Sequence, residues 1–212
     1  MTQTIAGITV PDSALATEAT ELVRQATTDL VYHHCRRVFL FGSLRGIETG
    51  VQADPELLYV GAIFHDLGLT ETFARDDQRF EIDGADEARR FLTSHGIDQE
   101  QAEDVWRAIA LHTTPEIPLH MSPVVQLVTR GVELDVMGIG YDSLTDQQRE
   151  EITAAHPRPD FKKGIIDAFH KGLAHRPGTT FGNVKSDVMA YKEPGFEREN
   201  FVEKILGSDW SE

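Results

Sequence analysis

Apolar residues along the chain recur at three- and four-residue intervals over long stretches, and period-two alternation is nearly absent. That periodicity predicts helices. Asp12 or Ser13 is placed to cap a first helix, with Leu15, Ala19, Leu22 and Ala26 at helical spacing. A second is predicted from Asp29 through "LVYHHCRRVFLF", ending near Gly42. Pro55 suits the first turn of a third, "ELLYVGAIFHD", which runs to Gly68. "IDGADEARRFLTSHG" reads as a helix capped by Asp83 and stopped by Gly96, and "DQEQAEDVWRAIALH" as the next. Pro115 and Pro118 break the chain before "PVVQLVTRGVELDVMG", a mostly buried helix with Asp135 near its end. "SLTDQQREEITAAHP" and "DFKKGIIDAFHKGLAH" follow as amphipathic helices. The last 35 or so residues mix Gly, Pro and charge, with a short helix around "DVMAYK". The expectation is an all-α protein: a single domain over 1–212, with its core at about 28–140 and further helices and an irregular tail at 141–212.

Composition narrows the function. The 212 residues carry 35 acids against 20 bases, a net charge of −15. Nucleic acid and anionic membrane are therefore not expected as partners, because phosphate backbones are gripped by clustered Lys and Arg. The single cysteine, Cys35, permits no internal disulfide and fits a cytoplasmic setting. No run approaches the roughly 20 apolar residues of a membrane span, and no targeting segment is visible. A small-molecule substrate and a homodimer are the partner expectations.

Against this background His34, the His65-Asp66 pair and Asp135 stand out, each within an apolar helix. A His or Asp buried alone costs several kcal/mol, roughly, so such groups need partners. Imidazole nitrogen and carboxylate oxygen together form a ligand set for a divalent metal. His33 competes with His34, but neighbours on a helix differ by about 100° in direction and only one can face a given site. His34 lies on the apolar stripe with Val38 and Phe41. Glu133, His95 and His120 read as solvated, Cys35 as a packed small side chain turned away from His34, and Phe91 and Trp106 as core. Asp83 reads as a helix cap, and His175 as a group that could approach the site from the C-terminal segment.

"HCRRV", "FHDLGLT", "RFEIDGADEARRFL", "AIALHT" and "GVELDVMG", in that order, resemble the HD-domain superfamily of helical metal-dependent phosphohydrolases, and within it the cyanamide hydratase-like proteins. The likeness covers about residues 28–140 and, more loosely, "HRPGTTFGNV" at 175–184. It implies an HD-domain helical bundle and one divalent ion, zinc foremost, with iron, manganese or nickel as alternatives, held by His34, His65, Asp66 and Asp135. It further implies a metal-activated water attacking a small nitrogen-containing substrate such as a nitrile or amide. Asp66, His112 and Thr113 would be the catalytic groups, with His112 as general acid or hydrogen-bond donor and Thr113 orienting substrate or water. Many phosphohydrolases of the superfamily carry a lysine after "HDLG"; this chain has Leu69, which cannot neutralise a phosphate. The competing readings are a nucleotide or phosphate-ester hydrolase, a di-metal oxygenase recruiting His112 and His120, and a ligand-binding module without activity.

Overall fold

The computed structural model describes residues 3–180, 182 and 184–211. Phe181 and Asn183 of the looser stretch at 175–184 lie outside the described residues. Among those described are ten α-helices and one small antiparallel hairpin, so the fold is all-α. The hairpin pairs β1 (Thr4–Ile5) with β2 (Ile8–Thr9) and tucks Ile5 and Ile8 into the core. With two residues in each strand, it is too short for an alternating pattern to register.

Helix α1 (Ala14–Ala26) starts where Ser13 accepts a hydrogen bond from the Ala16 amide. Helix α2 (Asp29–Thr49) is capped by Thr28 and runs past Gly42 to a left-handed Gly50. Gly42 is not a stop: a Cβ there would stand 2.5 Å from the Leu127 carbonyl oxygen. It is a point of close approach to α6 (Pro123–Met137), and Gly131 on α6 is its counterpart, where a Cβ would collide with the Val38 carbonyl. The two glycines bring the α2 and α6 backbones into contact, which sets the distance between His34 on one and Asp135 on the other.

Asp54 and Pro55 launch α3 (Pro55–Phe64), whose residues from Leu57 to Phe64 are all buried. A 3-10 turn, Leu67–Leu69, follows. Helices α4 (Phe80–Ser94) and α5 (Gln99–Leu111) pack on each other and on α3, and α5 also packs on α6. The start of α4 lies four residues ahead of the one that a cap at Asp83 sets, so Asp83 falls in its first turn instead of capping it. Asp83 there accepts from the Arg75 amide, the Gln78 side chain and the buried Arg176 guanidinium.

Helices α7 (Asp146–Ala155), α8 (Phe161–Leu173), α9 (Val184–Lys192) and α10 (Phe201–Leu206) complete the chain. A small second cluster, Val136, Phe161, Ile165 and Ile205, fixes α8 and α10 to the end of α6. No helix among the described residues is long and apolar enough to cross a membrane.

Candidate metal centre

The polar residues of the centre come from the buried face of α2 and from the C-terminal ends of α3 and α5. α3 is buried from Leu57 to Phe64, so His65 at its C-terminus and Asp66 just beyond it are carried inward with no exposure. α2 supplies His34 and α5 ends at His112, both buried. Gly68 seats the turn: a Cβ there would strike the Phe80 carbonyl, so the turn lies directly against the start of α4.

The three imidazoles share one arrangement. Nδ1 of His65 lies 2.7 Å from the Ala62 carbonyl oxygen, Nδ1 of His112 lies 2.7 Å from that of Ile109, and Nδ1 of His34 lies 2.6 Å from Asp135 Oδ2. These acceptors take the Nδ1 proton, so in the neutral ring, the form in which histidine binds metals, the lone pair lies on Nε2. Burial disfavours the charged ring of His65, but with no ion between them Asp66 outweighs burial and raises the His65 pKa well above the usual imidazole range. The Nε2 atoms converge on Asp66: His65 at 3.3 Å and His34 at 3.5 Å from Oδ2, His112 at 3.7 Å from Oδ1. His34 Nε2 and His65 Nε2 stand 3.1 Å apart.

Neither oxygen of Asp66 nor His112 Nε2 has a hydrogen-bond partner, although all are buried. A buried carboxylate without donors is costly, and a cation between these atoms removes the cost. Donors at about 2.1 Å from an ion stand roughly 3.0–3.4 Å apart, close to the separations found for His34, His65 and Asp66. These three form the cluster whose ligand atoms all lie within 4.8 Å of one another. His112 adds a fourth nitrogen on the Oδ1 side. The residues fit a divalent ion.

Asp135, expected as a fourth ligand, stands on the other side of His34. It accepts from His34 Nδ1, from Arg37 Nε at 2.8 Å and Nη2 at 3.0 Å, and from Arg158. Two buried guanidiniums require a counter-ion there, and both carboxylate oxygens are engaged with them. The sequence reading missed this pair. Arg37, one turn beyond His34, was visible within "HCRRV"; Arg158, in a loop 23 residues after Asp135, left no periodic signal.

His112 departs from the expected general acid. Burial, and then His65 nearby, push its pKa down to about 4. As a neutral ring whose one N–H faces Ile109, it has no proton to give from Nε2. Thr113 lies outside the cluster at the surface, its hydroxyl donating to Glu81 Oε1 at 2.6 Å. Glu81, buried and also held by Arg79, was not singled out from sequence. Burial opposes its charge, but the bonds from Arg79 and Thr113 keep it below the usual carboxylate range. Asp66 behaves alike: burial raises its pKa, and the facing histidines, His65 first, outweigh that and hold it ionised.

His120 and His175 are exposed. The C-terminal residue that does reach the HD turn is Arg176, donating to the Gly68 carbonyl at 2.6 Å. Cys35 is fully buried, as expected of a packed small side chain, and its sulfur lies 3.8 Å from His65 Nδ1. Glu133 is half-buried, and burial raises its pKa.

The HD domain family model matches residues 31–137, which carry all of these histidines and both aspartates of the centre. The chain belongs to the HD domain family. Its members are in general metal-dependent hydrolases, and the His34–His65–Asp66 cluster is compatible with that activity. No curated protein matches the chain.

Proposed function

We propose that this HD protein is a metal-dependent hydratase or hydrolase acting on a small, neutral, nitrogen-containing substrate of the cyanamide, nitrile or amide kind. The observation that carries the reading is the buried Asp66 carboxylate, without a hydrogen-bond partner, facing the Nε2 atoms of three histidines. The Phe161 ring lies 5.3 Å from His34 and the Phe80 ring 5.5 Å from His112. No lysine or arginine among the described residues pairs with Asp66, and Arg37 and Arg158 are engaged on Asp135. A phosphate dianion would find no free cation there; a small neutral molecule needs none. Leu69, in the place where a lysine would meet phosphate, is buried under α8.

His34, His65, Asp66 and His112 would hold the ion, and zinc suits a set dominated by imidazole. When bound, such an ion supplies Lewis acidity and lowers the pKa of a water. The chain's residues do the rest. Asp135 acts through His34, fixing its ring and tautomer. Asp66 offers one oxygen towards His34 and His65 and the other towards His112, so Oδ1 is placed to accept a hydrogen bond from a nucleophilic water. Glu81, tethered by Thr113, lies beside His112 as an ionised acceptor.

Elemental analysis of the purified chain beside a cyanamide turnover assay tests the proposal. Expected are about one divalent ion per chain, conversion of cyanamide to a urea-like amide, and joint loss of metal and activity in His65→Ala. Turnover of phosphodiesters or nucleotides with none on nitriles or amides would overturn the substrate class. Full metal content in His65→Ala would overturn the site.

A further inference from the structure

Four arginines are buried: Arg36, Arg37, Arg158 and Arg176. Three have a carboxylate partner, Asp135 for Arg37 and Arg158, and Asp83 for Arg176. Arg36, 6 % exposed, has no acidic side chain in ion-pair contact among the described residues. Its partners are neutral. It donates to the Tyr59 hydroxyl and approaches His156 Nε2 at 3.5 Å, and its guanidinium lies 5.3 Å from the centre of the Tyr59 ring. Burial pushes the Tyr59 phenol up, so it adds no negative charge. Desolvating a cation without a counter-ion is costly, and a chain with 35 acids had many to spare.

Arg36 borders a surface cleft of about 370 Å³, at the small end of the range for ligand sites. Arg24, Thr17 and Thr20 from α1 line the same cleft. Arg24 is exposed, stacks 4.8 Å from the Tyr32 ring centre, and likewise has no carboxylate in ion-pair contact among the described residues. Thr20 Oγ1 is 2.5 Å from the Tyr59 hydroxyl, which ties the cleft wall to the Arg36 partner. Asp12 and Glu21 also line it.

We propose that this cleft binds a small carboxylate held between Arg36 and Arg24. A guanidinium presents parallel N–H groups that match the two oxygens of a carboxylate. Asp12 and Glu21 penalise a dianion such as phosphate more than a monoanion, which selects the carboxylate. The cleft is separate from the metal centre: Arg36 is two residues beyond His34 on α2 and therefore about 200° around the helix. The proposal does not rest on the reading of that centre.

The test titrates the full chain with acetate, propionate and inorganic phosphate at constant ionic strength. Backbone amide NMR shifts are followed at Thr17, Thr20, Arg24 and Arg36. Saturable shifts at these residues with a carboxylate are expected, weakened at least tenfold in both Arg24→Gln and Arg36→Lys. Arg24 is exposed, so its variant keeps the fold if Arg36→Lys does not. Absence of saturation with every carboxylate, undiminished affinity in Arg24→Gln, or saturation by phosphate alone would each overturn the proposal.

Discussion

Asp135 bonds three buried polar side chains, those of His34, Arg37 and Arg158. It balances Arg37 and Arg158 and holds the Nδ1 proton of His34. Replacing it with Asn keeps the shape and removes the charge, leaving two buried guanidiniums without a counter-ion. The expected loss in urea denaturation is about 3–5 kcal/mol. Because Asp135 reaches the proposed metal only through His34, affinity for the ion should fall roughly ten- to a hundred-fold, with full stoichiometry recovered at high metal. Complete loss of binding in a folded Asp135→Asn protein would place the carboxylate among the direct ligands instead. His156 offers a pH test away from that centre. Burial, and then Arg36 beside it, push its pKa down to about 3, against about 6.5 in the unfolded chain. Between those values the unfolded state binds the extra proton, so this group's contribution is complete above pH 6.5 and is lost as pH falls towards 3. The slope is at most ~1.4 kcal/mol per pH unit for one group. His156→Gln should flatten the fall in stability measured between pH 6.5 and 4.5; an unchanged slope would assign it to other groups. The histidines and aspartates of the centre were legible because polar residues inside apolar helices demand an explanation. Their counter-charges Arg37 and Arg158 were not, since the partner of a buried ion is chosen by three-dimensional proximity, which spacing along one helix does not encode.

At the level of elements, helical periodicity and capping residues located nine of the helices; Ser13 caps α1 as expected, and Asp54, Asp98 and Thr145 cap α3, α5 and α7. The misplaced end of α2 comes from a glycine. Gly42 resembles a helix stop in sequence, yet it lies within α2 because a neighbouring backbone occupies the space of its Cβ. α10 was missed because six residues hold too few turns to show a period. Gly172 extends the same logic to the proposed site. It presses α8 against the turn after Asp66: a Cβ there would stand 2.7 Å from Leu69 Cδ2 and 3.0 Å from both the Leu69 Cα and its carbonyl oxygen. Gly172→Ala would gain about 0.5–1 kcal/mol of helix propensity. The leucine methyl can rotate away, but the backbone atoms cannot, and overpacking of this kind costs about 1–3 kcal/mol. The clash should win, giving a net loss of roughly 1 kcal/mol by urea denaturation, together with weaker retention of metal as the turn carrying Asp66 shifts. A stabilised Gly172→Ala with unchanged metal content would show that α8 can move off the turn without consequence.

For the molecule as a whole, charge sets two opposing effects that salt can separate. The net charge of −15 means that the folded chain repels itself over distances of the order of its own radius. Its exposed ion pairs act the other way, but they are contacts: Lys171–Glu71 at 3.1 Å, Arg198–Asp187 at 3.0 Å and Lys204–Glu199 at 3.1 Å. Each such pair contributes about 0–1 kcal/mol. The Debye length falls from about 30 Å at 0.01 M to about 10 Å at 0.1 M salt. That change removes most of the repulsion between charges 10–30 Å apart and little of the attraction between charges 3 Å apart. The buried pairs at Asp135 and Asp83 are screened less still. Repulsion is therefore the larger loss, and sodium chloride should stabilise the fold. With a gain of about 1 kcal/mol, a chain of this length should unfold roughly 2–4 °C higher at 0.1 M than at 0.01 M. Chloride is the appropriate anion, because sulfate would strengthen burial by a separate route. A midpoint that falls with added chloride would mean that the surface pairs, and not the excess of carboxylates, dominate the electrostatics of this fold.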